Sequence, residues 1–172
     1  MLAALACIVS PCAAQKTRVD FDHATHFSCY KTYRVVNPSE VGQPPGEFPN
    51  EIMQQRIAGF IEEAMTARGL KRVTTGGDLL ISFRVDVSEE PFYTTIDNWG
   101  PDWGWAGGVG FSTTTVQTIS RGSLVIDMVD AYKNQLVFEG VATRSISSKP
   151  TRNTRKLSNS VNEILEKYPP AL

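Results

Sequence analysis

Between residues 79 and 88, apolar Leu79, Ile81, Phe83, Val85 and Val87 alternate with Leu80, Ser82, Arg84, Asp86 and Ser88. A period of two predicts a strand with one buried and one wet face. Leu124, Ile126 and Met128 repeat the pattern, with Ser123 and Asp127 directed outward. Residues 17–22, 30–36, 70–73, 113–119 and 136–146 read as further strands. Gly122 marks a bulge or bend, and residues 131–135 form a hairpin-length turn.

The period changes twice. Ile52, Met53, Ile57, Phe60, Ile61, Ala64 and Met65 recur at steps that place them on one stripe of a helix, with Asn50 as its cap and Gly69 just past its end. Leu157, Val161, Ile164, Leu165 and Tyr168 form the stripe of a closing helix that Pro150 opens and Pro169-Pro170 ends. Four prolines and two glycines in residues 37–49 predict an extended surface connection.

Strands joined by hairpin-length links cannot all be parallel. The order strand, strand, helix, several strands, helix therefore predicts an α+β two-layer sandwich. Its sheet is mainly antiparallel, two helices pack on one face, and a long hairpin protrudes. The whole of residues 15–172 is expected to form a single domain.

Residues 1–14 are uncharged and mostly apolar. They are too short to span a bilayer, which needs about 20 residues, and read as a secretory signal with small residues before a cut ahead of Gln15. Two cysteines precede that cut. Cys7 follows Ala4-Leu5-Ala6 and Cys12 follows Val9-Ser10-Pro11; neither fits a lipid-anchoring signal well, so a soluble product in the periplasm or envelope is favoured slightly over an anchored one. Cys29 remains alone, and one cysteine forms no internal disulfide. No transmembrane helix is expected after the cut. A formal net charge of -1 and the lack of a dense basic cluster argue against nucleic acid as a partner. Arg152, Arg155 and Lys156 sit near the start of the closing helix, where the macrodipole disfavours them.

The segments Val19-Asp-Phe-Asp22, Phe27-Ser-Cys-Tyr-Lys-Thr-Tyr33, Ala67-Arg-Gly-Leu70, Asp78-Leu-Leu-Ile-Ser-Phe83, Gly122-Ser-Leu-Val-Ile-Asp-Met-Val-Asp130, Leu136-Val-Phe-Glu-Gly-Val-Ala142 and Lys167-Tyr-Pro-Pro170 occur in this order. Together they resemble the bacterial family filed as domain of unknown function 4136, over nearly all of residues 15–172. The resemblance implies an exported protein, often a lipoprotein of the cell envelope. It brings no activity, cofactor or catalytic residue.

Candidate chemistry is sparse. Asp20, Asp22, His23, His26 and Cys29 are metal-ligand types. Their spacing along a strand and a turn fits no closed site, and no second cluster supplies further ligands, so no metal or other cofactor is expected. There is no Gly-x-Ser-x-Gly elbow, and Cys29 reads as a small apolar residue. Asp127 and Asp130 read as turn-organising or solvated carboxylates. The run Gly107-Gly-Val-Gly110 lacks the lysine and helix of a phosphate loop.

The remaining feature is the stretch from Trp99 to Phe111, within a hairpin loop at about residues 96–112. It holds five glycines and all three tryptophans, Trp99, Trp103 and Trp105. Aromatic rings among glycines either fold back on the sheet or bind a protein, glycan or lipid, because they bury much area with few rotors. Trp99, Trp103, Trp105 and Phe111 are therefore the candidate binding residues of a non-catalytic envelope domain. The alternatives are a small hydrolase or metal-dependent enzyme built on His23, His26 and Cys29, and a purely structural assembly factor.

Overall fold

The computed structural model describes residues 16–46, 51–98 and 111–169. The elements are β1 (Lys16–Phe21), β2 (Thr32–Val35), α1 (Glu51–Ala67), β3 (Lys71–Arg72), β4 (Leu79–Asn98), β5 (Phe111–Asp130), β6 (Gln135–Ser145) and α2 (Pro150–Leu165). They build one six-stranded sheet in the order β1-β6-β5-β4-β2-β3. All pairs are antiparallel except β2 with β3 and β2 with β4, so the sheet is mixed and mainly antiparallel.

Register explains the core. Ile81, Phe83 and Val85 lie opposite Met128, Ile126 and Leu124, and these lie opposite Phe138, Gly140 and Ala142. Successive partners share one face, and the buried side chains on it meet Ile57, Ile61 and Met65 of α1 and Val161, Ile164 and Leu165 of α2. The helices pack on each other and on that face, completing the two layers. Gly69 takes φ +82 and its N–H bonds the Thr66 carbonyl, as a helix-ending glycine should. Tyr168 closes the core's end, with Phe27 and Phe138 edge-on to it at 5.6 and 5.7 Å. Two expectations on α1 change. Ile52 is 59% exposed because it lies off the inner stripe, and Phe60 is only partly buried. Its expected cap, Asn50, lies outside the described residues.

The opposite face was expected to be wet, and there the structure differs. Asp127 has no exposed surface, and Ser82, Val125 and Val129 are buried with it. Arg84 is the reason. Its Nη1 lies 2.5 Å from Asp127 Oδ2 and 3.5 Å from Gln43 Oε1, so the guanidinium lies between the sheet and the proline-rich segment after β2. That segment closes on β4 at Gly46, where a Cβ would stand 2.6 Å from Arg84 Cβ and 2.8 Å from Val85 N. Only glycine allows so close a crossing. Gly122 is not a bulge: β4 and β5 run in register through it, and the irregularity falls between Met128 and Val129, against β6.

A single carboxylate ties the starts of β2 and β4. Asp78 Oδ2 accepts the backbone N–H of Lys31 and Thr32 at 2.8 Å and the Thr32 hydroxyl at 2.9 Å. The backbone N–H bonds of Lys31 and Thr32 hold its carboxyl below the ordinary 3.8. A carboxyl lowered in the folded state adds stability above its unfolded value and loses it as pH falls through the lower folded one. Asp78→Asn should therefore be less stable at neutral pH and should flatten the loss of stability below about pH 4. Urea midpoints measured from pH 7 to pH 2 check this; parallel curves for the two proteins would refute it.

Candidate functional site

β4 and β5 do not stop where the sheet stops. β2 reaches β4 only as far as Ile81, and β6 reaches β5 only from Arg121 to Asp130. One more bond, from the Ile146 N–H to the Ser120 carbonyl, ends the third-strand contact. β4 and β5 remain paired with each other from Glu89↔Ser120 out to Asn98↔Phe111. At about 3.4 Å per residue this two-stranded arm projects roughly 30 Å.

The local sequence accounts for the extension. Thr94, Thr95, Ile96, Thr113, Thr114, Thr115, Val116, Thr118 and Ile119 are β-branched and suit a pleated strand. The Thr95 and Thr114 hydroxyls meet at 3.3 Å across the ribbon. At its root Arg121 Nε lies 2.9 Å from Glu90 Oε2. This pair is exposed and contributes little to stability.

Nothing in the described fold covers the arm. Tyr93 and Val116 stand opposite each other and are 64% and 58% exposed. Each strand also presents one edge of unpaired backbone groups. A ribbon of two strands alone is marginal in water, and exposed edges are usually blunted with charge, above all lysine. Residues 91–120 hold no lysine, arginine or glutamate, and only Asp97 and Asp102 carry charge.

Of the expected binding residues, Trp99, Trp103 and Trp105 lie outside the described residues, between the arm's paired ends. Phe111 opens β5, its backbone opposite Asn98. The hairpin reading of the sequence was right in kind and short in extent, since the strands reach Asn98 and resume at Phe111.

The histidine region is built otherwise than a site. Asp22 organises the turn after β1: its Oδ1 accepts the Ala24 N–H at 2.9 Å and its Oδ2 the Thr25 hydroxyl at 2.9 Å. His23 packs on the Phe21 ring at 4.4 Å, and His26 precedes the 3-10 turn Phe27–Cys29. Cys29 is exposed, which corrects its reading as a small apolar residue; Phe27 is the buried member of that turn. Among the described residues no three His, Cys, Asp or Glu side chains group as metal ligands. Asp130 accepts the Tyr132 and Lys133 N–H groups at 2.9 Å and the Tyr30 hydroxyl at 2.8 Å, so it organises the β5–β6 turn.

Asp127 departs from its expected solvated role. Burial pushes its carboxyl up against the opposing pull of Arg84. Its Oδ1 and the Ser82 hydroxyl are buried without a hydrogen-bond partner. Two strand neighbours facing one side gave no sequence signal of burial, because the cover is the distant segment around Gln43 and Gly46. No helix among the described residues is long and apolar enough to cross a membrane.

The chain belongs to the family described as "Domain of unknown function (DUF4136)", whose model matches residues 17–170. No curated protein matches it. Among solved structures it is similar to a DUF4136 family protein from Bacteroides thetaiotaomicron, at 17% identity and a TM-score of 0.57, covering 90% of this chain and 96% of that one. It is also similar to a PDZ domain protein from Parabacteroides distasonis, at 13% identity and a TM-score of 0.60; 91% of this chain is covered, and it spans only 36% of that protein's length. A third likeness is to the PelC dodecamer from Paraburkholderia phytofirmans, at 11% identity and a TM-score of 0.51, covering 88% and 95% of the two chains. These likenesses show the fold.

Proposed function

We propose, from that membership, that the protein is a non-catalytic, exported domain of the cell envelope that holds a protein partner along its β4–β5 arm. The carrying observation is the pair of unpaired strand edges beyond Glu89 and Ser120. Free backbone donors and acceptors in a row are met most completely by another strand, which a protein supplies and a glycan or lipid does not. The exposed Tyr93–Val116 face adds apolar area to the same contact. The expected binding residues Trp99, Trp103, Trp105 and Phe111 follow Asn98 in the sequence and would supply the anchoring rings.

The uncharged apolar residues 1–14 support export, with a soluble product slightly favoured over an anchored one. PelC has a similar fold and forms a dodecamer. A second copy of this chain is therefore the first partner to test.

The test is an arm-shortened chain in which Asn-Gly replaces residues 91–118 between the register partners Glu90 and Ile119. It should keep its unfolding free energy within about 1 kcal/mol, because none of the described residues removed belongs to the core. It should also lose self-association in sedimentation velocity and lose capture of its partner from envelope extracts. A shortened chain with the same sedimentation profile and the same captured proteins would sink the proposal.

A further inference from the structure

At the root of the arm, where α1 and α2 stop covering the sheet, a cleft of about 120 Å³ opens between α2 and the inner sheet face. Its walls are Val85, Val87, Leu124, Ala142, Ile146 and Leu157. Val87 and Ile146 are 41% and 43% exposed, so the apolar lining runs out to the surface. The volume is far above the ~10–15 Å³ one water needs, and an apolar hollow offers water no partners.

The polar groups at the cleft are already engaged. The Asn153 side chain accepts the Ser147 N–H and donates to the Ser147 carbonyl, both at 2.8 Å. Lys156 Nζ donates to the Ser145 carbonyl at 2.7 Å. A peptide laid in the cleft would leave its amides unsatisfied, at a cost that a hydrocarbon chain does not meet.

The α2 side of the rim has one sign of charge, and Glu89, two residues past Val87 on the same face of β4, stands across from it. Residues 140–162 contain no aspartate or glutamate. Arg144 is neutralised by Glu163, whereas Lys149, Arg152 and Lys156 have no ion-pair partner among the described residues. Arg152 stands one turn before Lys156, and Lys149 one turn before Asn153, so they flank the stripe of α2 that lines the cleft. Lys149 caps α2 without a side-chain hydrogen bond, and the first turn holds no acidic residue. Two cations, Lys149 at the cap and Arg152 in the first turn, are unfavourable together at the positive end of a helix macrodipole. An anion bound there would relieve that cost and explain their placement.

We infer that this cleft binds the anion of a medium-chain fatty acid, with the alkyl chain along Val87, Leu124 and Ile146 and the carboxylate against Lys149 and Arg152. The inference is independent of the arm and its partner.

Titration calorimetry on the full chain, with decanoate below its micelle threshold, tests it. One decanoate should bind per chain, and decanol and decyltrimethylammonium should each bind at least tenfold more weakly. Gly122→Leu fills the cleft; a Cβ there stands at an ordinary 3.5 Å from Ile146 Cγ1. It should weaken decanoate at least tenfold, and Lys149→Glu with Arg152→Glu should do the same without lowering the urea midpoint. Should Gly122→Leu fail to fold, Val87→Arg, on an exposed wall, reports instead. Absence of saturable decanoate binding, equal binding of decanol, or indifference to these substitutions would overturn the inference. So would binding to anionic lipid vesicles with none to decanoate.

Discussion

Gly140→Ala is expected to cost about 3 kcal/mol of folding stability, at the upper end for overpacking a core, and Gly140→Leu to leave no folded protein. Gly140 sits in β6 between Ile126 of β5 and Val19 of β1, on the face that carries the helices. Ile164 of α2 occupies the gap left by the missing side chain. A Cβ on Gly140 would lie 3.2 Å from Ile164 Cβ and closer still to its Cγ2. The strand is fixed by partners on both sides, so α2 must lift, and with it the contacts of Val161 and Leu165. Ile164→Ala alone should cost about 2–5 kcal/mol through the cavity it leaves. The double variant should be no worse than Ile164→Ala, because the new methyl enters the vacated space. Urea unfolding of the four proteins closes the cycle, and simple additivity of the two costs would refute the proposed contact.

How much of this was legible beforehand follows from which faces are buried. Leu79, Ile81, Phe83 and Val85 alternate because one side of β4 meets helices and the other does not, and the same holds for Leu124 to Met128. The stripes of α1 and α2 carry the matching helical period, so the two-layer α+β architecture was readable. The arm was read short because period two appears only where one face is buried. Beyond Ser88 the described side chains of β4 are mostly exposed on both faces, and Pro91 and the threonines give no apolar beat.

Long-range cover was the second blind spot. Asp127 follows the outward pattern on its strand, and only the approach of Arg84, Gln43 and Gly46 buries it. The glycines divide likewise. Gly69 was read from its place after a helix. Gly140 and Gly46 are dictated by what lies across from them, which no local pattern records. The basic start of α2 was an anomaly in the sequence and gained a context only once Val87 and Ile146 were placed beside it.

The arm yields the second large effect, in binding and not in folding. Trp103→Ala with Trp105→Ala, and separately Tyr93→Ser with Val116→Thr, should each weaken the partner by about 30-fold or more, because an interface anchor is worth about 2–4 kcal/mol and 1.4 kcal/mol is tenfold. Stability should move by about 0.5 kcal/mol or less, since Tyr93 and Val116 are exposed and touch no part of the core. The chain offers its own reporter. Every tryptophan lies in residues 99–105, so tryptophan emission arises from this segment alone. In the isolated protein at least one ring should be open to acrylamide, because the uneven spacing among glycines and prolines cannot place all three on one strand face. Adding the partner should shift the emission to the blue and reduce quenching. If emission is instead already blue and protected in the isolated protein, and the double tryptophan variant loses several kcal/mol of stability, the rings serve the fold. The unpaired edges of β4 and β5 would then have to hold the partner without them.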